Sequence, residues 1–331
     1  MPASKIMQFV EPSQITTADR TDLARAIKEQ ALSAGFDKVG IVRAEALVGE
    51  RERLQGWLDR GYQGEMHWID RDTDERTDPR RLFPSAQSVI VVALNYYTPD
   101  QHSGDPETGK VSRYAWGHDY HEVIGSKLRG LLKWIGQQVP HAAGKVCVDI
   151  QPMMDKAWAV RAGLGWMGKH TNLITPEFGS WVFIGELLLN LELEYDTDQV
   201  EDHCGSCTLC IDACPTLAIS EPYVVDSNKC ISYATIELRA PEMPPVVIEN
   251  LEGWFYGCDI CQDVCPWNRF QTPTNEDLFH PWPGSVNAKL PDILDLTPQS
   301  YAERFRGSAM KRAKLAGLQR NARALLRNRE G

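Results

Sequence analysis

The chain lacks any apolar run approaching the roughly 20 residues that a membrane span needs. Its longest candidates are Val89–Leu94 and Trp181–Leu191, and Glu186 interrupts the second. The N-terminus is polar, with no apolar leader core and no twin arginine, which argues against export. The eight histidines form no His-Glu-x-x-His or other zinc pattern. Internal repeats are missing apart from paired cysteine motifs. These absences point to a cytoplasmic, reducing compartment. Nine cysteines there imply metal or redox chemistry rather than a disulfide framework. A length of 331 residues suggests roughly two domains, at about 150 residues each. A hydrophobic content of 43% excludes disordered and collagen-like classes.

The net charge of -10 hides an asymmetry. Residues 301–331 carry nine Lys or Arg and two acids, Glu303 and Glu330, so the tail is +7 and the remainder -17. A basic tail on an acidic body suits an anionic partner, nucleic acid first. A solvated helix docked on the acidic body explains the charge equally well.

Apolar spacing predicts helices over 19–35, 50–60, 121–139 and 153–162, and again from 297 to the end. Strands are expected over 37–42, 88–94, 144–150 and 181–189. This alternation argues an α/β layer domain over residues 1–195. A cysteine-rich domain follows over 196–275, and a basic helical segment over 276–331.

The cysteines carry the strongest signal. Cys204-x2-Cys207-x2-Cys210-x3-Cys214-Pro215 matches the bacterial ferredoxin run, whose fourth cysteine ligates the other cluster. The second half reads Cys258-x2-Cys261-x3-Cys265-Pro266, with Phe255 where its first cysteine belongs. Cys230 lies upstream and can replace it. The crossed pattern assigns Cys204, Cys207, Cys210 and Cys265 to one [4Fe-4S] cluster and Cys230, Cys258, Cys261 and Cys214 to the other. Structural zinc leaves the Cys-Pro endings unexplained.

Cys147 is left over and reads as a small buried hydrophobe. Asp149 closes the strand ahead of Pro152. It suits either a general acid or the N-cap of the next helix, and spacing does not choose. Gly163-Leu-Gly-Trp-Met-Gly168 fits the dinucleotide fingerprint, but a helical pattern precedes it and an extended one follows. A turn that brings backbone close to some other large ligand fits better.

Several segments together resemble the epoxyqueuosine reductase family. They are Glu75–Pro79, Ser88–Tyr97, Arg113–His121, Val148-Asp149 with Pro152, Arg161–Ile174 and both cysteine motifs. The likeness runs from about residue 20 to 328. It implies an α/β corrinoid-binding domain, a ferredoxin-like domain with two clusters, and a short C-terminal helical segment. The implied reaction reduces epoxyqueuosine at the wobble position of a tRNA anticodon to queuosine. Electrons would pass from an external flavodoxin- or ferredoxin-type donor through the clusters to a base-off cobalamin. Asp149 would protonate the leaving oxygen. By matched positions the corrinoid would be lined by Arg76, Ser112, Arg113, Tyr114, Asp149, Leu173, Ile184, Ser232, Asp259 and Ile260. Asp119, Lys156 and Lys169 are secondary candidates.

Three departures from the family pattern stand out. Ile150-Gln151 replaces a common Thr-Gly, Lys156 replaces an arginine, and the chain stops within the first helix of what is often a helical-repeat region. Lys311, Arg312, Lys314, Arg320, Arg323 and Arg327 would then carry most tRNA phosphate contacts. A monomer is expected. Competing readings are a reductive dehalogenase-like corrinoid enzyme, a ferredoxin-type electron carrier, and a nucleic-acid binder with a structural cluster. The carrier leaves Arg113–His121 and Asp149 without a role.

Overall fold

The computed structural model describes residues 17–330. Its strands are β1 (Lys38–Arg43), β2 (Ser88–Asn95), β3 (Thr108–Val111), β4 (Gly144–Cys147), β5 (Trp166–Met167), β6 (Leu173–Ile174), β7 (Val182–Leu189), β8 (Ile219–Glu221), β9 (Val224–Val225), β10 (Trp254–Tyr256) and β11 (Asn287–Lys289). The main sheet runs β1-β2-β7-β4, and every neighbouring pair is antiparallel. The expected mixture of α and β elements is present, and its main sheet is antiparallel throughout.

β2 is the most apolar strand and is buried along its whole length, because helices cover both faces of the sheet. On one face lies helix Tyr120–Gln138, capped where the Asp119 carboxylate accepts from the His121 N–H. Its Val123, Ile124, Leu128, Leu131 and Ile135 point inward at helical spacing. Each stabilises the fold by roughly 2 kcal/mol through burial. The helix lies so close that a Cβ on Gly185 of β7 would stand 2.6 Å from Ile124 Cγ2. On the other face, helix Asp155–Arg161 packs Trp158 and Ala159 among Val89, Val91, Cys147 and Leu188.

β10-β3-β11 form a second sheet. Its strands come one each from the three segments divided at 195 and 275, so those segments share hydrogen bonds. Helix Lys314–Glu330 packs against β10 and helix Ile231–Ile236, and Leu318, Ala322 and Leu325 bury there with Phe255. The Gly163–Gly168 segment includes β5, the first strand of the short hairpin β5-β6. A Cβ on Gly165 would meet the Ile174 carbonyl oxygen at 2.0 Å, and one on Gly163 the Asp198 carbonyl oxygen at 2.3 Å, so these two glycines let the backbone pack closely on the chain itself.

Candidate active site

A cavity of about 570 Å³ opens between the sheet and the cysteine-rich region. Asp149 stands on one wall. It is not part of the strand: β4 ends at Cys147, and Asp149 adopts φ 56° in the turn that follows. A non-glycine residue in that region is strained and is retained where function needs it. Nor is it an N-cap, since the next helix begins at Asp155 behind Met154.

The turn presents the Asp149 side chain, 59% exposed, to two donors. The Tyr120 hydroxyl donates to Oδ2 at 2.9 Å, and His121 Nε2 lies 3.2 Å from the same oxygen. His121 Nδ1 is held 2.5 Å from Asp119 Oδ1. Burial disfavours a charged imidazole, but the bonds to Asp119 and Asp149 outweigh it and push His121 up to about 9. Burial would raise the Asp149 carboxyl, yet His121 and Tyr120 hold it below its ordinary value. At neutral pH the pair carries one proton, residing on the ring.

Cys214, Cys230, Cys258 and Cys261 line the same cavity. These thiols interact with one another: Cys230 with Cys214, Cys258 with Cys261 and Cys230, and Cys261 with Cys230 and Cys214. Cys210 interacts with Cys265, Cys204 and Cys207, none of which lines the cavity, and Cys261 also interacts with Cys210. Lys169 ties the Gly-rich turn to the outer set, donating to the Gly205 and Cys207 carbonyls at 2.6 and 2.9 Å.

Of the positions expected to line a corrinoid, Ser112, Tyr114, Asp149, Leu173, Ile184, Ser232 and Ile260 line the cavity, and Arg76, Arg113 and Asp259 do not. Asp259 is buried and accepts from the Ser112 hydroxyl and, at 2.7 Å, from the Arg113 N–H, so it fixes the wall from behind. The Arg113 guanidinium donates to the Thr98 carbonyl and stacks on Tyr97 and Trp116. Arg76 packs over Trp68. Lys156 reaches the wall and donates to the Thr171 carbonyl and Asn172 Oδ1, each at 2.9 Å. Sequence reasoning missed the Nε2 of His170, which is buried without a partner among the described residues. His170 Nδ1 accepts from the Asn172 N–H at 3.2 Å, and burial holds the ring neutral, down to about 4. It also missed Glu186, whose only signal was an acid inside an apolar strand.

Comparison with known proteins converges on one family. A family model described as "Epoxyqueuosine reductase QueG, DUF1730" matches residues 76–150, and one described as "4Fe-4S double cluster binding domain" matches 203–268. An epoxyqueuosine reductase of Synechocystis sp. is 52% identical over 276 residues, covering 83% of this chain and 94% of that protein. One from Cellulophaga algicola is 48% identical, covering 89% and 95%.

The chain belongs to the epoxyqueuosine reductase family.

It is thus an oxidoreductase with a double [4Fe-4S] domain. A crystal structure of an epoxyqueuosine reductase with an epoxyqueuosine-modified tRNA-Tyr stem loop superposes with TM-score 0.85 at 31% identity, covering 92% of this chain and 81% of that one. The enzyme from Streptococcus thermophilus gives 0.84 at 32%, covering 93% and 81%.

In this reductase the basic tail is not uniformly a surface. Arg320 is corrected from a tRNA contact to a buried residue, 7% exposed. Its guanidinium donates to the carbonyls of Ala234, Leu238 and Ala240, because helix Lys314–Glu330 turns that face onto the cluster region. Arg312 is engaged by Glu237 through two bonds of 2.7 Å. Lys314, Arg323 and Arg327 are exposed, and Lys311 is half-buried. No helix among the described residues is long and apolar enough to cross a membrane.

Proposed function

We propose that the chain reduces the epoxide of epoxyqueuosine, at the wobble position of tRNA anticodons, to the cyclopentene of queuosine in the last step of that biosynthesis. The observation that carries this reading is the cavity itself: Asp149, bonded to the His121 ring, lines it together with Cys214, Cys230, Cys258 and Cys261.

The walls fit a base-off cobalamin. Leu173, Ile184 and Ile260 offer apolar contact to a broad ring. The unpartnered His170 Nε2–H, Ser232 and Lys156 offer polar groups to its amide rim. When bound, the cobalamin would supply a cobalt nucleophile and reductant fed from the adjacent cluster. Asp149, loaded through His121 and steered by Tyr120, protonates the epoxide oxygen as the C–O bond opens. Cys204, Cys207, Cys210 and Cys265 would hold an outer cluster, which would accept electrons from a flavodoxin- or ferredoxin-type donor. An unpaired anticodon loop can splay its base into the cavity, with Lys311, Lys314, Arg323 and Arg327 on phosphates. We place the reaction in the cytoplasm and on a monomer.

The test is mass spectrometry of epoxyqueuosine-bearing tRNA after incubation with reconstituted enzyme and a reductant. Loss of one oxygen from the wobble nucleoside is expected. An unchanged nucleoside overturns the reading, and so does failure of the protein to take up cobalamin.

A further inference from the structure

Turning an epoxide into an alkene breaks both C–O bonds and releases the oxygen as water. The change consumes two electrons and two protons. The Asp149–His121 pair stores one proton, so one remains to be found.

A second proton store lies beneath the same wall. Glu186 projects from the centre of β7, opposite Cys147 of β4 and Val91 of β2. It is 0% exposed, and neither carboxylate oxygen receives a donor among the described residues. It interacts with the side chain of Asp155, on the helix packed against β7. Asp155 Oδ1 is likewise without a partner among the described residues. Asp155 also lines the cavity, as Asp149 does. Two neighbouring carboxyl groups, one of them buried with no donor on either oxygen, oppose each other's ionisation, so the pair favours holding a proton. The groups around them are few. Asp149 opposes their ionisation, Lys156 and Arg76 favour that of Asp155, and the Cys147 thiol, pushed up to about 12 by burial, remains neutral. Burial, reinforced by Asp149, pushes Asp155 up to about 7 and Glu186 higher still. The surrounding layer of Trp158, Val91, Leu188 and Cys147 is apolar, and nothing in its packing calls for an acid.

We propose that Asp155 and Glu186 form a carboxyl pair that stores the second proton of the reaction and passes it through the cavity to Asp149. Neither acid touches the reacting atoms; both act by reloading Asp149. Each of the two stores then matches one of the two electrons delivered. The assignment rests on the epoxide-reducing reading, but its first test needs no substrate.

Infrared spectra of the cluster-loaded enzyme at about pH 8, where exposed carboxyls are ionised, should show a protonated-carboxyl band that disappears in Glu186→Gln. Absence of the band in the wild type overturns the pair whether or not the enzyme reduces epoxyqueuosine. In turnover at that pH, Glu186→Gln should lose roughly 100-fold, the scale of a proton-transfer contribution. Iron content and cobalamin uptake should be unchanged, and Glu186→Asp should restore the rate. A wild-type rate in Glu186→Gln overturns the proposal. Should that variant fail to fold, Asp155→Asn, on the cavity wall, gives the same two readouts.

Discussion

His121 Nδ1 lies 2.5 Å from Asp119 Oδ1, and this contact, with that to Asp149, raises the proton affinity of the ring. The ring is raised in the folded protein, so its proton is present below about pH 9 and lost above it. Turnover by pre-reduced enzyme should therefore fall as pH rises through about 9. In Asp119→Asn the ring loses one of the two carboxylates that raise it, so the alkaline limb should move to lower pH. A pH–rate profile with an unmoved limb would remove Asp119 from the proton path.

The cysteine division predicts a quantity. Cys230→Ser removes one thiolate from the set Cys214, Cys230, Cys258 and Cys261 and none from the other. Reconstituted wild type should hold about eight irons, and the variant about four. Iron and acid-labile sulfide assays measure this directly. Eight irons in the variant would mean that Cys230 is not a ligand.

The tail contains two kinds of arginine. Replacing exposed Arg323 and Arg327 with Gln should lower the salt slope of tRNA binding by roughly two, about one for each lost phosphate contact. Arg320→Ala should leave the slope alone and instead cost roughly 3 kcal/mol of stability, since three buried carbonyls lose a charged donor. Nitrocellulose binding across a salt series, beside thermal melts, separates the two effects.

Gly257 has φ +70°, and a Cβ there would stand 2.4 Å from Ser112 Cβ. Both the turn into Cys258 and the Ser112–Asp259 bond depend on that close approach. Gly257→Ala should yield protein whose inner cluster loads poorly while the outer one is kept. Electron paramagnetic resonance of the reduced protein would show one signal weakened; two full signals would refute this.

What sequence disclosed and what it hid follow from the range of each interaction. Thiolate ligation is local, so the spacing of Cys204 to Cys214 and Cys258 to Cys265 announced the clusters directly. Helix Tyr120–Gln138 was legible because its inward side chains recur within one element. The antiparallel order β1-β2-β7-β4 was not, since it depends on pairing between strands up to about a hundred residues apart. Asp149 was legible as a candidate, but its left-handed backbone was not, because the surrounding turn imposes it on an ordinary residue. Arg320 misled because charge in a sequence carries no direction. Only the docking of its helix shows which face is turned inward.

The inner thiolates wall the cavity and the outer ones stand off it. On the proposed reading, a carrier protein reaching the outer set would have no need to enter the space where the modified base docks. Charging the enzyme and occupying it with tRNA would then be independent events, in either order or together.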